Sequence, residues 1–401
     1  MIALALLAAS VGAGLLALFP YTLYPLALRL APRRPLRMRA RRAPTATLVF
    51  CAYNESASIP AKLANLRAIR EVWPAMRFRC FVDQSTDDTL ALLRAASDIV
   101  DVDTAGARVG KATGMRRLVA ACDTDVVIFT DANVMLEPLC VPRLLAYFSD
   151  SEVGGVCGTL HYTNPDASDA TIASSAYWRL EEKIKARESA CGSTMGADGS
   201  IFATRRHLYP QVPPNLLDDF IVSMTVVFGG MRLVSAPDVH AYETAVVEGA
   251  DEFRRRRRIA CRAYMTHNHL RPRVLSMSPF DIYKYVSHKL IRWYGIWLAM
   301  ASMIFAGLAA IAFLGIWIGV PLVAAATVVF AICARPPFAA VRKLREAALQ
   351  FWATGLGMAD AWRGRQYQTW STPASRAQVD LASAPGIEPP APLRTSAGGA
   401  G

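Results

Sequence analysis

Three apolar runs each end in acids or amides. Thr47 to Tyr53 runs into Asn54 and Glu55, Phe78 to Val82 into Asp83 through Asp88, and Val126 to Thr130 into Asp131 and Asn133. An aspartate at a strand end, with a second oxygen ligand two residues on, can present both to one hard cation such as Mg²⁺ or Mn²⁺. The same residue types also begin turns. Lys111, within Val109-Gly110-Lys111-Ala112, is a cation at a helix start, available to a phosphate or simply solvated. Asp218 and Asp219 open another helix-like stretch, where acids also suit the macrodipole. Arg254 to Arg258 is an unbroken basic run, suited to an anionic substrate or to a helix face lying on anionic lipid. The chain has neither GxxxxGK[ST] nor a GxGxxG after a strand. A bound nucleotide must then be held by carboxylates through a metal and by cations on its phosphates.

The elements that must position these residues alternate short apolar runs with longer helix-like stretches. This is the pattern of an α/β fold with a mostly parallel, Rossmann-like sheet covered on both faces. In such sheets ligands sit outside the carboxyl ends of the strands, so the three strand-end clusters define one candidate site. Further strands are expected at Val153–Leu160, Ile201–Thr204 and Arg232–Ala236, and helices at Tyr177–Glu188, Asp218–Phe228 and Asp251–His269. Ser85 or Thr86 is placed to cap the helix after the second strand.

The 401 residues carry a formal charge of +12, yet only 19% are charged and 53% are hydrophobic, which excludes disorder along most of the chain. Met1 to Leu28 and Trp293 to Ala334 contain no charged side chain. A spanning helix needs roughly 20 apolar residues, so the first run reads as one span and the second as a pair broken near Gly315 to Pro321. A cleaved signal peptide is the other reading of the first run, which lacks a basic n-region. Arg29, Arg33, Arg34, Arg37, Arg39, Arg41 and Arg42 follow it without an intervening acid, which puts that flank in the cytoplasm. Lys289 and Arg292 before the second run, and Arg335, Arg342, Lys343 and Arg345 after it, fit an out-and-back hairpin. The basic residues lie beside membrane segments or in the arginine run, so lipid and an anionic substrate explain the charge and no nucleic-acid partner is expected. Eight scattered cysteines without a CxxC spacing read as reduced thiols.

Taken in order, Ala52-Tyr53-Asn54-Glu55, Asp83 to Thr89, Gly110-Lys111-Ala112 and Phe129-Thr130-Asp131-Ala132-Asn133 resemble the motifs of the family-2 glycosyltransferases. The likeness continues through Gly196-Ala197-Asp198-Gly199, Leu217-Asp218-Asp219-Phe220 and Glu252 to Ile259. It reaches Ser287 to Trp293 and Arg363 to Trp370, covering roughly 45 to 370 and closest to membrane-bound bacterial exopolysaccharide and capsule synthases. The resemblance implies a GT-A domain. It implies that Asn54 and Glu55 line the nucleoside pocket, Asp83 contacts the base, Lys111 neighbours the nucleotide, and Asp131 with Asn133 forms the DxD variant that meets Mg²⁺ or Mn²⁺. Asp219 aligns with the general base and Asp218 with its partner. Arg255 and Arg258 stand where a QxxRW motif grips the diphosphate, with Ile259 in place of the Trp.

The expected organisation is an N-terminal transmembrane helix at 1–30, a basic juxtamembrane linker at 31–44 and the GT-A domain at 45–275. An interfacial helix follows at 276–292, a transmembrane hairpin at 293–335, an interfacial or third C-terminal membrane helix at 336–370, and a disordered tail at 371–401. The expected activity is metal-dependent, inverting transfer from a nucleotide sugar, most simply UDP-linked, to a glycan or lipid-linked acceptor. It would take place on the cytoplasmic face of the inner (plasma) membrane, in exopolysaccharide or surface-glycan synthesis, with an oligomer or export partners. A non-catalytic nucleotide-binding scaffold of a polysaccharide export complex is the rival reading.

Overall fold

In the computed structural model the described residues are 1–39, 42–333, 339–367 and 369, with side chains described outside 325–344. The tail expected from 371, and Arg41, Arg335 and Trp370, lie outside them. The strands are β1 (Ala46–Ala52), β2 (Arg77–Val82), β3 (Asp101–Thr104), β4 (Val126–Asp131), β5 (Met135–Leu136), β6 (Val153–Tyr162), β7 (Ile201–Arg205) and β8 (Arg232–Glu243). They form one sheet in the order β3-β2-β1-β4-β7-β6-β8-β5. The helices α1 (Ile2–Leu18), α2 (Leu23–Leu30), α3 (Ile59–Val72), α4 (Thr89–Ala95), α5 (Lys111–Ala120) and α6 (Cys140–Tyr147) come first. After them are α7 (Asp169–Ala190), α8 (Asp218–Phe228), α9 (Gly249–Leu275), α10 (Pro279–Tyr285), α11 (Ile291–Leu314), α12 (Ile316–Cys333) and α13 (Ala339–Trp362).

Every residue of β1 is buried, as a central strand covered on both faces requires. Alternation then divides its side chains: Leu48, Phe50 and Ala52 enter one core, Val49 and Cys51 the other. The β3-β2-β1-β4 half is parallel, which fits the expected sheet. Beyond β4 it is not parallel: β7 runs antiparallel to β4 and β6, and β5 antiparallel to β8, while β6 and β8 pair in parallel. The sheet is therefore mixed. Two short strands lack a sequence signal: β3 is the polar edge Asp101-Val102-Asp103-Thr104, and β5 has only two residues. Helix α7 begins eight residues before its expected start, where Ser168 and Thr171 form a reciprocal capping box.

Outside the sheet domain, α1 lies along α11. Ser10 Oγ donates to Ser302 O at 2.9 Å and Ser302 Oγ to Ser10 O at 2.8 Å, with Gly14 against the same serine. Small residues allow such close approach, and each hydroxyl satisfies the other helix's backbone. Helix α10 continues through a π-helical turn, Val286–Leu290, directly into α11. Gly315, with φ +76°, ends α11, and α12 folds back so that Gly319 packs on Ile311. Among the described residues, Ile2–Tyr21 and Pro279–Leu314 are helices long and apolar enough to cross a membrane. Leu4, Val11, Leu15, Met303, Ile304 and Phe313 are exposed on them. Helix α13 docks on α9, where a Cβ on Gly357 would meet the Arg257 carbonyl at 2.3 Å.

Candidate functional site

The parallel registers put Ala52 beside Val82 and Cys51 beside Asp131. The carboxyl ends of β1, β2 and β4 are thus level, and their loops meet. The first two are stitched together. The Asn54 backbone amide donates to Ser85 Oγ at 3.0 Å and its side chain exchanges hydrogen bonds with Thr86, while the Glu55 amide donates to Thr89 Oγ1 at 2.8 Å. Ser85 and Thr86 therefore do not cap the helix after β2, contrary to the capping expectation. Their hydroxyls are engaged by the β1 loop, and α4 has no side-chain cap. Asn54 and Gln84 hold the two turns at φ +52° and +53°, values that asparagine tolerates better than most residues.

Asp83 is fully buried and accepts from the Val109 and Gly110 amides at 2.7 and 3.1 Å. In this structure its carboxylate fixes the turn that presents Lys111 at the start of α5. Arg108, beside it, lies over the Tyr53 ring at 3.5 Å from the centroid, a flat cation–aromatic platform beside the β1 and β2 loops that the sequence reading did not single out.

Lys111 Nζ donates to Asp131 Oδ1 at 2.6 Å. Burial pulls the ammonium down, but Asp131, Asp218 and Asp219 outweigh it and hold Lys111 protonated. Gly199 marks where these groups converge: a Cβ placed there would lie 3.3 Å from Lys111 Nζ, 3.5 Å from Asp219 Oδ2 and 3.6 Å from Asp131 Oδ2. Four stretches distant in sequence thus meet around one glycine. The Asp219 carboxyl is pushed up to about 7, first by burial and then by Asp218, with Lys111 opposing.

Two further residues hold the β4 turn. Lys62, fully buried on α3, donates to the carbonyls of Asp131 at 3.1 Å and Val134 at 2.6 Å. Asn133 is buried, and its amide donates to Glu243 Oε1 at 2.9 Å, which brings a carboxylate from the end of β8 beside the turn. Neither Lys62 nor Glu243 carries a local sequence signal, because each arrives through tertiary packing.

The arginine run is not a bare lipid-facing surface. Arg254 pairs with Asp251, Arg255 and Arg256 with Glu252 at 3.5 and 2.6 Å, and Arg257 bidentately with Asp360 of α13 at 2.6 and 2.8 Å. Arg255 faces inward, within electrostatic reach of Tyr162, Glu243 and Asp131, and Arg258 is half-buried.

No cluster of three His, Cys, Asp or Glu able to hold a metal occurs among the described residues. The donor set of Asp131, with Asn133 and Glu243 behind it, still fits a hard cation of the Mg²⁺ or Mn²⁺ type. Such ions take one or two protein carboxylates and complete their shell with substrate phosphates and water. With Lys111 and Arg255 alongside, the pocket can hold a metal-bound diphosphate next to a carboxylate able to accept a proton.

Residues 47–212 match the family model described as glycosyl transferase family 2. Among solved structures, a mannosyltransferase from Pyrobaculum calidifontis in complex with GDP-Man and Mn²⁺ superposes with a TM-score of 0.65 at 20% identity, covering 89% of this chain and 98% of that one. Residues 1–349 of S. aureus TarS in complex with UDP-GlcNAc superpose at a TM-score of 0.43 and 13% identity, covering 80% and 92%. The first of these likenesses establishes a shared fold. No curated protein sequence matches the chain.

Proposed function

From the match of residues 47–212 to the glycosyl transferase family 2 model, we propose that this chain is a family-2 glycosyltransferase carrying out a metal-dependent, inverting transfer from a nucleotide sugar to a hydroxyl acceptor at a membrane face. The observation that carries the reading is the meeting of Lys111, Asp131 and Asp219 around Gly199. A scaffold that only binds nucleotide has no use for a proton-accepting carboxylate there.

In the proposed reaction the base and ribose lie over the β1 and β2 loops, with Asn54, Glu55 and Asp83 shaping the pocket and the Tyr53–Arg108 platform flanking it. Lys111 and Arg255, with Arg258 further along the helix, offset the charge of the diphosphate. Asp131 is the carboxylate that would hold the divalent ion, with Asn133 and Glu243 bracing the turn. The ion, when bound, supplies Lewis-acid stabilisation of the departing diphosphate. Asp219 takes the proton as the acceptor oxygen attacks the anomeric carbon and the carbon–oxygen bond to the diphosphate breaks. Asp218 keeps the neighbouring carboxyl basic through like charge. One displacement inverts the anomeric configuration.

The Pyrobaculum mannosyltransferase holds GDP-Man, so a guanine-linked donor is the competitor to the UDP-linked one. The two apolar helices and the basic linker support a multi-pass protein of the inner membrane with a cytoplasmic site, serving exopolysaccharide or surface-glycan synthesis. Membranes containing the full chain are to be incubated with labelled UDP- and GDP-sugars with and without Mn²⁺. Metal-dependent release of nucleoside diphosphate, abolished in Asp131→Ala, is expected. Release that ignores both Mn²⁺ and Asp131 would sink the assignment.

A further inference from the structure

A cavity of about 910 Å³ opens beside the catalytic groups, bordered by Asp219 and Arg255. Its walls are largely apolar: Ala173 and Ala176 on α7, Ile259 and Ala263 on α9, and Phe351 on α13. Leu18 and Tyr21 at the foot of the first apolar helix and Trp293 at the start of α11 also line it, with the Trp293 ring 6.0 Å from that of Phe220, the residue after Asp219. It therefore joins the reaction centre to the exposed apolar helices. A sugar chain needs hydrogen-bond partners along its length, and the alkyl stretches of the wall, Ala173, Ala176, Ile259 and Ala263, offer none.

Polar groups interrupt this lining, among them the paired Lys185 and Asp198, and the largest group of them gathers around Glu181. Glu181, on α7, is buried against His288 Nε2 at 3.0 Å, Lys289 Nζ at 3.1 Å and Arg292. Two full cations and a histidine share that carboxylate, and the second acid nearby, Glu188, is held by His288 at 2.9 Å and by Tyr24. Arg292 in addition has buried Nε and Nη2 atoms with no hydrogen-bond partner, and its guanidinium lies over Tyr21 and Tyr177 at 5.2 and 5.5 Å. The π-helical turn 286–290 is what places His288 and Lys289 in the lining. Such turns interrupt a helix at a cost and recur at functional sites. Unpaired buried N–H groups on a cation call for an anion.

We propose that this cavity is the acceptor subsite and that its occupant is an anionic amphiphile. Its hydrocarbon chain lies among α7, α9 and α13, its phosphate-type head is received by Arg292 and Lys289, and a hydroxyl on that head faces Asp219. The proposal rests on the glycosyl-transfer reading above and names its acceptor class. In the step it implies, the hydroxyl oxygen bonds to the anomeric carbon as the bond from that carbon to the diphosphate breaks. The hydroxyl proton goes to Asp219 and the nucleoside diphosphate leaves with the electron pair. A hydroxyl is the nucleophile because a phosphate oxygen is already ionised and needs no base.

The test uses the full chain in nanodiscs of neutral lipid, with no donor present. Two photoreactive probes share one diazirine-bearing alkyl tail; one carries a monophosphate head, the other a neutral glucoside. The monophosphate is expected to label α7 and α13 peptides at a concentration about tenfold lower than the glucoside does, as one charge-assisted contact allows. Dodecyl phosphate should compete and inorganic phosphate should not. Arg292→Gln should erase the preference between heads, and Ala176→Trp, at an exposed wall position that folding does not depend on, should weaken labelling by both. Equal labelling by the two heads, labelling elsewhere, or competition by a water-soluble oligosaccharide overturns the proposal. Nucleotide binding measured on the same samples reports separately on the transfer reading.

Discussion

In the proposed transfer Asp219 is the residue on which the chemistry turns, and its environment sets a pH dependence. Burial and Asp218 push its carboxyl up to about 7, and a general base works only when ionised. Transfer should therefore rise with pH through about 7 and level off above it, being lost as the carboxyl protonates on the acid side. Asp219→Asn should leave nucleotide affinity near that of the wild type, cut single-turnover transfer by a factor on the order of 10² to 10⁴, and flatten that pH profile. Proportional loss of donor binding would refute the role. Gly199→Ala is the complementary probe. Its added methyl would lie 3.3 to 3.6 Å from Lys111, Asp219 and Asp131, in the space a metal-bound diphosphate would need. We expect the folded protein to persist with unchanged thermal stability while Mn²⁺-dependent nucleotide binding, read by calorimetry, is lost. Asp131, Lys111 and Asp219 were legible in the sequence because each sits at the end of an apolar strand or the start of a helix, in a recognisable order. Glu243 and Lys62 were not, since β8 pairing and the packing of α3 bring them in from 110 and 69 residues away.

Among the elements, the β4 turn shows how packing takes over from local pattern. A lysine with no exposed surface, drawn down to about 7 chiefly by burial, would be costly unless its N–H groups had acceptors. The Asp131 and Val134 carbonyls supply them. Lys62→Met keeps the volume and removes the donors, leaving two carbonyls short of partners. It should cost about 1 to 3 kcal/mol of stability, and it should weaken metal-dependent donor binding more than metal-free nucleotide binding, because the turn carrying Asp131 loosens. Denaturant unfolding and paired titrations with and without Mn²⁺ would check both parts. Equal weakening with and without the metal would remove the turn from the argument. Strands β1, β2, β4, β6 and β7 could be read from continuous apolar runs. The polar β3 could not, nor could the antiparallel turn of the sheet after β4, since strand direction follows from connections and not from composition. The arginine run is unbroken in sequence, but the helix turns its members to different partners, Asp251, Glu252 and Asp360.

At the scale of the whole molecule, the helix pairing constrains the topology more tightly than loop charges do. Leu18 and Tyr21, at the end of α1, line the same cavity as Arg292 and Trp293, at the start of α11. Ser10 meets Ser302 midway along both helices. The two helices therefore run antiparallel from the sheet domain, so Met1 and Gly315 lie together at the end remote from it. The linker after α2 is tied back to the same domain, with the Arg34 amide on Ala190 O at 2.8 Å, the Arg37 amide on Asp150 at 2.8 Å, and Arg232 donating to the Arg34 and Pro35 carbonyls. A cytoplasmic site supplied with nucleotide sugars then requires Met1 and Gly315 to face outward together, and the excess of arginine after Leu28 points the same way. In intact cells, an epitope at Met1 and one inserted at Gly315 should both be accessible from outside, while a reporter fused after Arg42 should register cytoplasm. The linked outcome is the strict one. Finding Met1 and Gly315 on opposite sides would break the α1–α11 pairing itself, whereas finding both inside with the Arg42 fusion outside would keep the pairing and separate the catalytic groups from their donor.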